Sequence, residues 1–193
     1  MKRNGFTIAE ILVVIAVMAV VGTFLVAIFS STLRGNNKSQ ILSAIKQNGQ
    51  AVLDRIDKEI RGADDITCRS SDGYTLVILK SKIYTRFRFI PPASTSNGII
   101  AMDNPVQSTE DQQLFLNNVC TDPLVNPVAL TDSNLRSGVS VENGSFIRDK
   151  PAGLKDQITI KFDLKAAKEV PPVIADDVGA VTFQTTVSCR NCP

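Results

Sequence analysis

An uncharged apolar run from Ile11 to Phe29 constrains this chain more than any other feature. Only Gly22 and Thr23 interrupt its hydrophobic residues. A helix of this length, rising about 1.5 Å per residue, is long enough to cross a hydrocarbon core of about 30 Å. We therefore predict a membrane helix. Glu10 lies at the front of this segment, where burial of its carboxylate would cost about 2.5–3.5 kcal/mol, so a functional role is expected for it.

The polar boundary of the apolar run lies on its N-terminal side. Lys2 and Arg3 form a short basic leader that ends in Gly5. A secretory signal peptide instead has an apolar core of about 7–15 residues with a small-x-small cleavage site after it, and residues 26–30 offer no such site. A plain single-pass anchor that tolerates Glu10 near the interface is the alternative, but it leaves the spacing of Gly5 and Phe6 unexplained.

Gly5, Phe6 and Glu10 resemble the class III signal of type IV prepilins and pseudopilins, in which Glu occupies the fifth mature position. Ile8-Ala9 departs from the commoner Leu-Ile or Leu-Val. The resemblance implies that a prepilin peptidase cuts between Gly5 and Phe6 and that Phe6 is N-methylated. It also implies that Glu10 pairs with the terminal amino group of a neighbouring subunit and sets the register of assembly. Such pairing is physically reasonable, because opposite charges in a low dielectric relieve each other's desolvation.

Charge and composition argue against several classes of function. Loss of Lys2 and Arg3 with the leader reduces the 21 basic residues to 19, equal to the 19 acidic residues. This balance disfavours a generic binder of nucleic acid or anionic membranes. The basic leader predicts a cytoplasmic N-terminus and an extracytoplasmic head. Histidine is absent from the sequence, which excludes Ser-His-Asp catalysis and histidine-ligated metals. We expect no cofactor.

The cysteines, Cys68, Cys120, Cys189 and Cys192, would lie in an oxidising compartment, where an even number indicates disulfides. Three pairings are open; we favour Cys68–Cys120 with Cys189–Cys192, because the latter two are close in sequence. A four-thiolate zinc site is a rival, but it usually needs two closely spaced pairs and the chain offers one. A thioredoxin-like pair would open a helix in a βαβ setting, which is not predicted here.

Helical periodicity continues beyond the apolar run to about Arg61, where Gly62 is a plausible C-cap. One long helix from Phe6 is expected, with bending at Gly22, Gly35 or Gly49 left open. The predicted segments are a leader at 1–5, a transmembrane or filament-core helix at 6–29, an amphipathic continuation at 30–62, and a β-rich extracytoplasmic head at 63–193. The apolar face of the continuation comprises Ile41, Leu42, Ile45, Val52, Ile56 and Ile60.

From Tyr74 onward the hydrophobic period is two, which predicts strands. The predicted strands span residues 74–79, 82–90, 138–147, 157–164 and 181–187. Residues 91–138 are too long for a simple loop and are expected to contain short strands or a helical turn. The fold class is therefore α+β, a long N-terminal helix packed on an antiparallel β-sheet head. Residues 53–63 and 185–191 also resemble the corresponding parts of J-type minor pseudopilins and minor pilins.

Two groups of side chains are candidate ligand sites in the head. Lys82, Arg86 and Arg88 alternate with aromatic residues, a pattern that could place cations against DNA phosphates and rings under bases; the alternative is the solvated face of a strand. Calcium ligands are conceivable at residues 64–65, 132–134 and 176–177, but none has EF-hand spacing and turn formation explains them better.

Together these features predict a structural protein, a minor pilin or pseudopilin of a type IV pilus, type II secretion or competence system. Its expected partners are other subunits, the prepilin peptidase, the inner-membrane assembly platform and membrane lipid, with nucleic acid not favoured. One alternative is a competence pseudopilin whose head binds DNA. Another is a membrane-tethered extracytoplasmic enzyme, for which no motif is present.

Overall fold

The computed structural model describes residues 7–107, 112–150, 153, 155–170 and 178–192. The leader at 1–5, Phe6 and the candidate calcium ligands at 176–177 lie outside these residues. The helices and strands are α1 Ile8–Arg61, β1 Asp65–Arg69, β2 Thr75–Lys80, β3 Ile83–Ile90, β4 Ile99–Asp103, α2 Gln112–Asn118, β5 Val128–Ala129, β6 Val139–Asp149, β7 Gln157–Ala166 and β8 Val181–Ser188.

The chain divides into two units, residues 1–40 and 41–193, and α1 contributes to both. In the first unit the apolar side chains between Ile8 and Phe29 are exposed to solvent. This part of α1 is long and apolar enough to cross a membrane. Gly22 and Gly35 both lie within the helix, and a Cβ added at either would meet no neighbouring atom within 4 Å.

In the second unit, α1 from Ile41 to Arg61 buries one face. Its buried residues are Ile45, Gly49, Val52, Leu53, Ile56 and Ile60. Their spacing of three, four and seven follows the helical repeat, so they form a single stripe. This stripe packs into one hydrophobic core with residues of both sheets, including Ile78, Phe146 and Ile160. The predicted amphipathic character of this segment is therefore confirmed.

Two antiparallel sheets complete the second unit. The first has the strand order β1-β2-β3-β4-β5, and the second has the order β6-β7-β8. β2 and β3 form a hairpin in which Lys80 pairs with Ile83 across Ser81 and Lys82. Both turn residues have positive φ, 49° and 68°, as a two-residue type I′ turn requires.

The main core lies between α1 and the two sheets. Ile158, Ile160, Phe162 and Leu164 of β7 are all essentially inaccessible to solvent, as their alternation predicts. Aromatic rings join the strands within this core, with Phe89 and Phe146 at 4.6 Å between ring centroids. Each fully buried side chain of this size contributes about 1.5–3 kcal/mol of hydrophobic stabilisation.

A second, smaller core lies on the other face of the five-stranded sheet. It contains Val77, Tyr84, Val119 and Cys120, with Phe115 of α2 packed against them. The rings of Tyr84 and Phe115 are 4.8 Å apart in an edge-to-face arrangement, a favoured aromatic geometry. The segment of α2 and the loop after it therefore covers this face of the sheet.

The predicted fold class, a long helix followed by antiparallel β structure, is confirmed. All five predicted strands are present, with ends within two residues of the predicted limits. The segment 91–138 contains β4, α2 and β5, as the expectation of short strands or a helical turn allowed. The strands form two antiparallel sheets, whereas the sequence analysis expected one antiparallel sheet.

Candidate functional site

The N-terminal end of α1 carries the first candidate residue, Glu10. Its Oε2 accepts hydrogen bonds from the backbone N–H of Thr7 at 3.0 Å and from the Thr7 hydroxyl at 3.1 Å. The backbone N–H of Glu10 in turn donates to Thr7 Oγ1 at 3.3 Å. The N–H of Ile11 donates to the carbonyl oxygen of Thr7 at 3.2 Å, the first hydrogen bond of the helix. Thr7 is thus the N-cap and Glu10 the third helical residue of a capping box.

Thr7 is a helix-capping residue that the sequence reasoning missed. The signal is present as Thr7-Ile8-Ala9-Glu10, which fits the Ser/Thr-x-x-Glu pattern that marks a helix start. Gly5 and Phe6 precede it and lie outside the described residues, so cleavage between them and methylation of Phe6 stay predictions. The geometry shows that the carboxylate of Glu10 is already oriented toward the start of the helix.

The basic strand β3 differs from its predicted role at Arg86. This side chain is only 1% exposed. Its Nε lies 2.9 Å from Asp103 Oδ1, and its Nη2 lies 2.6 Å from Asp103 Oδ2. The guanidinium also donates to the carbonyl oxygens of Val119, Asp122 and Pro123 at 2.7–3.0 Å. Each of these hydrogen bonds connects Arg86 to another group inside the head. Asp103 accepts a further hydrogen bond from the backbone N–H of Val125.

The expectation that Lys82, Arg86 and Arg88 form one accessible basic face is therefore wrong for Arg86. The Arg86 side chain lies beneath α2 and the loop that follows it. It is therefore neither available for DNA contact nor part of a solvated strand face. Arg88 is half-buried and donates to the carbonyl oxygens of Cys120 and Asp122 at 3.0 and 2.9 Å. Burial, followed by repulsion from Arg86, lowers the pKa of Arg88 from its ordinary value. Lys82 is exposed on the hairpin turn.

The cysteines form two disulfides, Cys68–Cys120 and Cys189–Cys192, the pairing favoured from the sequence. The first joins β1 to the turn that follows α2, across 52 residues. The second closes a loop of sequence separation 3 after β8. Cys189 is inaccessible to solvent and packs in the main core near the end of α1. Each bond therefore holds a segment that lies outside the sheets, the turn after α2 in the first case and the residues after β8 in the second.

Within the part of the chain that the structure describes, no group of three or more potential ligands is placed to hold a metal ion. Two of the proposed calcium positions instead form turns or loop contacts. Asp64 Oδ2 accepts the backbone N–H of Ser81 at 2.7 Å. Asp132 Oδ1 accepts the N–H of Asn134 at 3.0 Å, as in an Asx turn.

Glu59 and Asp163 each line a cavity formed by described residues. One of about 260 Å³ includes Glu59, which forms ion pairs with Arg55 at 3.2 Å and Lys80 at 2.9 Å. The other, about 360 Å³, includes Asp163. Hydrogen bonds from Asn143 and Thr182 lower the pKa of Asp163 below its ordinary value. A carboxyl group with a lowered pKa is ionised at neutral pH, so it is poorly suited to act as a general acid there.

Comparison with known proteins locates similarity at the N-terminus. No curated protein and no solved structure matches the chain significantly. Residues 1–26 match the family model described as the prokaryotic N-terminal methylation motif. The matched residues include Gly5, Phe6 and the capped Glu10, together with the first part of the exposed apolar helix. The chain thus carries the N-terminal methylation motif of prokaryotes, the class III signal sequence of type IV prepilins.

Proposed function

We propose that this protein is a structural subunit of a type IV pilin-like filament, a minor pilin or pseudopilin that is stored in a membrane before assembly. The match of residues 1–26 to the N-terminal methylation motif carries this proposal. The exposed apolar surface of α1 between Ile8 and Phe29 supports it, because such a surface needs either lipid or other helices around it. The role is non-catalytic.

The boundaries of the subunit follow from this role. Residues 1–5 are the leader, 6–29 the membrane and filament-core helix, 30–62 its amphipathic continuation, and 63–193 the head. The leader faces the cytoplasm and the head faces the extracytoplasmic space, in line with the basic residues Lys2 and Arg3. The partners are the prepilin peptidase, the assembly platform in the inner membrane and other subunits.

Glu10 has two successive partners in this proposal. In the precursor it accepts two hydrogen bonds from Thr7. After cleavage the new amino group is on Phe6, next to Thr7 in the chain, and the carboxylate of Glu10 pairs with the corresponding amino group of a neighbouring subunit. Unpaired charges in a helix bundle surrounded by lipid are costly, so this pairing favours one axial register between subunits.

The decisive measurement is the intact mass of the protein isolated from membranes, with and without a co-expressed prepilin peptidase. A product that begins at Phe6 and is heavier by one methyl group supports the proposal. A Gly5→Val variant should retain the leader, whereas Gly35→Val, which changes a glycine outside the motif, should be processed normally. Retention of residues 1–5 in the presence of the peptidase, or cleavage after Ser30, would overturn the proposal.

Assembly is tested separately from processing. A Glu10→Gln variant should be cleaved as efficiently as the unchanged chain, since the cut lies between Gly5 and Phe6, but its incorporation into filaments should fall. Glu142→Gln alters a carboxylate in the head and serves as the matched control. Equal incorporation of Glu10→Gln and the unchanged chain would remove the register role from Glu10.

A further inference from the structure

The strand β8 lies at the edge of the three-stranded sheet. It pairs with β7 along its whole length in an uninterrupted register from Val181 to Ser188. Among the described residues no strand pairs with its other side. One row of backbone N–H and C=O groups therefore faces outward along eight residues, which is enough to hydrogen bond to an added strand.

The sequence of β8 lacks the usual devices that prevent edge-to-edge association. Those devices are charged side chains, proline, a β-bulge or a very short strand. The strand reads Val-Thr-Phe-Gln-Thr-Thr-Val-Ser and contains no charge and no proline, and its register has no bulge. β1, an edge strand of the five-stranded sheet, has two of these devices. Its register is irregular, and it carries the charged residues Asp65 and Arg69.

The same sequence is nearly symmetric about Gln184. Val181 and Val187 lie three residues on either side of it, and Thr182 and Thr186 lie two residues on either side. If two copies pair antiparallel about Gln184, valine faces valine, threonine faces threonine and glutamine faces glutamine. Only Phe183 meets a different residue, Thr185. Directly opposed residues of an antiparallel pair share one face of the sheet.

This register also places the solvent-facing residues of both copies on one face of the joined sheet and their core-facing residues on the other. Gln184, Thr182 and Thr186 are exposed, whereas Val187 is buried and Phe183 packs against the main core. Pairing about Gln184 places exposed residues opposite exposed residues. Shifting the register by one residue would place Phe183 opposite Thr186, joining a core-facing position to a solvent-facing one.

We propose that β8 is a self-pairing surface, through which two copies of this chain form a continuous six-stranded antiparallel sheet about a two-fold axis at Gln184. The absence of charge on the strand means that two copies meet without like-charge repulsion. A single pair of strands buries little surface, so the association is weak and depends on protein concentration. The surface consists only of head residues and does not depend on the filament proposal.

Cysteine cross-linking of the full chain in detergent tests the register. Gln184→Cys places two cysteines opposite each other on the axis, where antiparallel Cα atoms lie about 4.5–5.5 Å apart, within disulfide range. It should give a disulfide-linked dimer under mild oxidation. Thr182→Cys alone should not give a linked dimer. In the proposed register residue 182 of one copy lies four residues along the strand, about 13 Å, from residue 182 of the other. The double variant Thr182→Cys/Thr186→Cys should link again.

Lys161→Cys is the matched control, since residue 161 is exposed on the same sheet but on its central strand. Preferential dimer formation by Gln184→Cys supports the proposal. Equal cross-linking of Gln184→Cys and Lys161→Cys would indicate random collision and overturn it. Equal cross-linking of Gln184→Cys and Thr182→Cys would overturn the register.

Charge substitution provides an independent test without a new thiol. Gln184→Lys and Gln184→Glu each place like charges opposite each other at the axis and should weaken self-association about fivefold in sedimentation at several concentrations. A mixture of the two variants pairs opposite charges and should recover dimer formation. Failure of the mixture to recover, or no change in either variant alone, would overturn the proposal. Because residue 184 is exposed, both variants should retain the fold.

Discussion

Arg86 and Asp103 form a two-pronged ion pair in the interior of the head, with Nε–Oδ1 and Nη2–Oδ2 distances of 2.9 and 2.6 Å. Their side chains are 1% and 0% exposed. The pair lies between β3 and β4, and the remaining guanidinium hydrogens donate to the loop after α2. A cation and an anion thus replace apolar packing at the point where the loop meets the sheet.

Removing one partner should therefore be costly. Arg86→Met leaves Asp103 buried without its cation, and we expect a loss of about 3–5 kcal/mol in the free energy of unfolding. Urea unfolding of the full chain in detergent, followed by circular dichroism, measures this loss. Arg136→Met removes a cation that is 86% exposed and paired with Glu169, and should cost less than about 1 kcal/mol. Similar losses in the two variants would contradict the prediction.

The two disulfides should differ in their contribution to stability. Cys68–Cys120 spans 52 residues, and Cys189–Cys192 spans 3. Loop-closure entropy predicts about 4 kcal/mol for the longer loop and about 2 kcal/mol for the shorter one. Cys68→Ala/Cys120→Ala should therefore lower the unfolding midpoint more than Cys189→Ala/Cys192→Ala. The reverse order would show that packing of Cys189 in the core outweighs loop closure.

The pKa of Asp163 provides a prediction at acidic pH. Hydrogen bonds from Asn143 and Thr182 lower this pKa. The stabilisation is thus fully present above the unfolded pKa of about 4 and is lost as the pH falls through the folded pKa. Asn143→Ala should raise the pKa of Asp163 in a carboxyl NMR titration and reduce the pH dependence of stability below about pH 4. Asn104→Ala, which removes an amide that donates to Tyr84 and Thr85, should leave it unchanged.

The sequence was sufficient for the elements whose patterns are local. The alternation in β7 and the helical stripe from Ile45 to Ile60 each report which face is buried. Alternation in β3 separated the residues of its two faces but could not reveal that both are covered. The face that carries Arg86 is covered by residues 112–125, whose sequence has no strong period. These residues form hydrogen bonds with Arg86 although they lie more than 30 residues away in the chain. A local pattern contains no information about such contacts.

At the candidate site near the N-terminus, in contrast, the sequence signal is local. Gly5, Phe6 and Glu10 are recognisable because they resemble the class III prepilin signal, and the match of residues 1–26 covers them. The cap formed by Thr7 is equally local and could have been predicted from the Thr-x-x-Glu pattern. Sequence reasoning does not reach the proposed partner of Glu10 after cleavage, because the proposal places that partner in another subunit.

Gly49 of α1 is required by the close approach of a ring. A Cβ at this position would lie 2.2 Å from Cζ of Phe183, so Gly49→Ala should displace the ring and cost about 1–3 kcal/mol. Urea unfolding measures the loss, and Gly49→Ala/Phe183→Leu should recover part of it. At Gly35 a Cβ meets nothing within 4 Å, so Gly35→Ala should preserve or increase helix stability. A destabilised Gly35→Ala with an unaffected Gly49→Ala would contradict this account.

The capping box predicts how the start of α1 responds to substitution of Thr7. Thr7→Val keeps the shape of the side chain but removes the hydroxyl that donates to Glu10 and accepts its backbone N–H. The loss of about 1 kcal/mol expected for an N-cap should accelerate amide hydrogen exchange at Glu10 and Ile11, whose N–H groups donate to Thr7, about fivefold in detergent micelles. Thr7→Ser retains the hydroxyl and should exchange like the unchanged chain. Thr23→Val removes a hydroxyl that bonds only to the carbonyl oxygen of Val20 within the helix, and should leave exchange at those two amides unaffected. Equal exchange in the Val and Ser variants of Thr7 would show that the backbone contact to Glu10 holds the helix end without the hydroxyl.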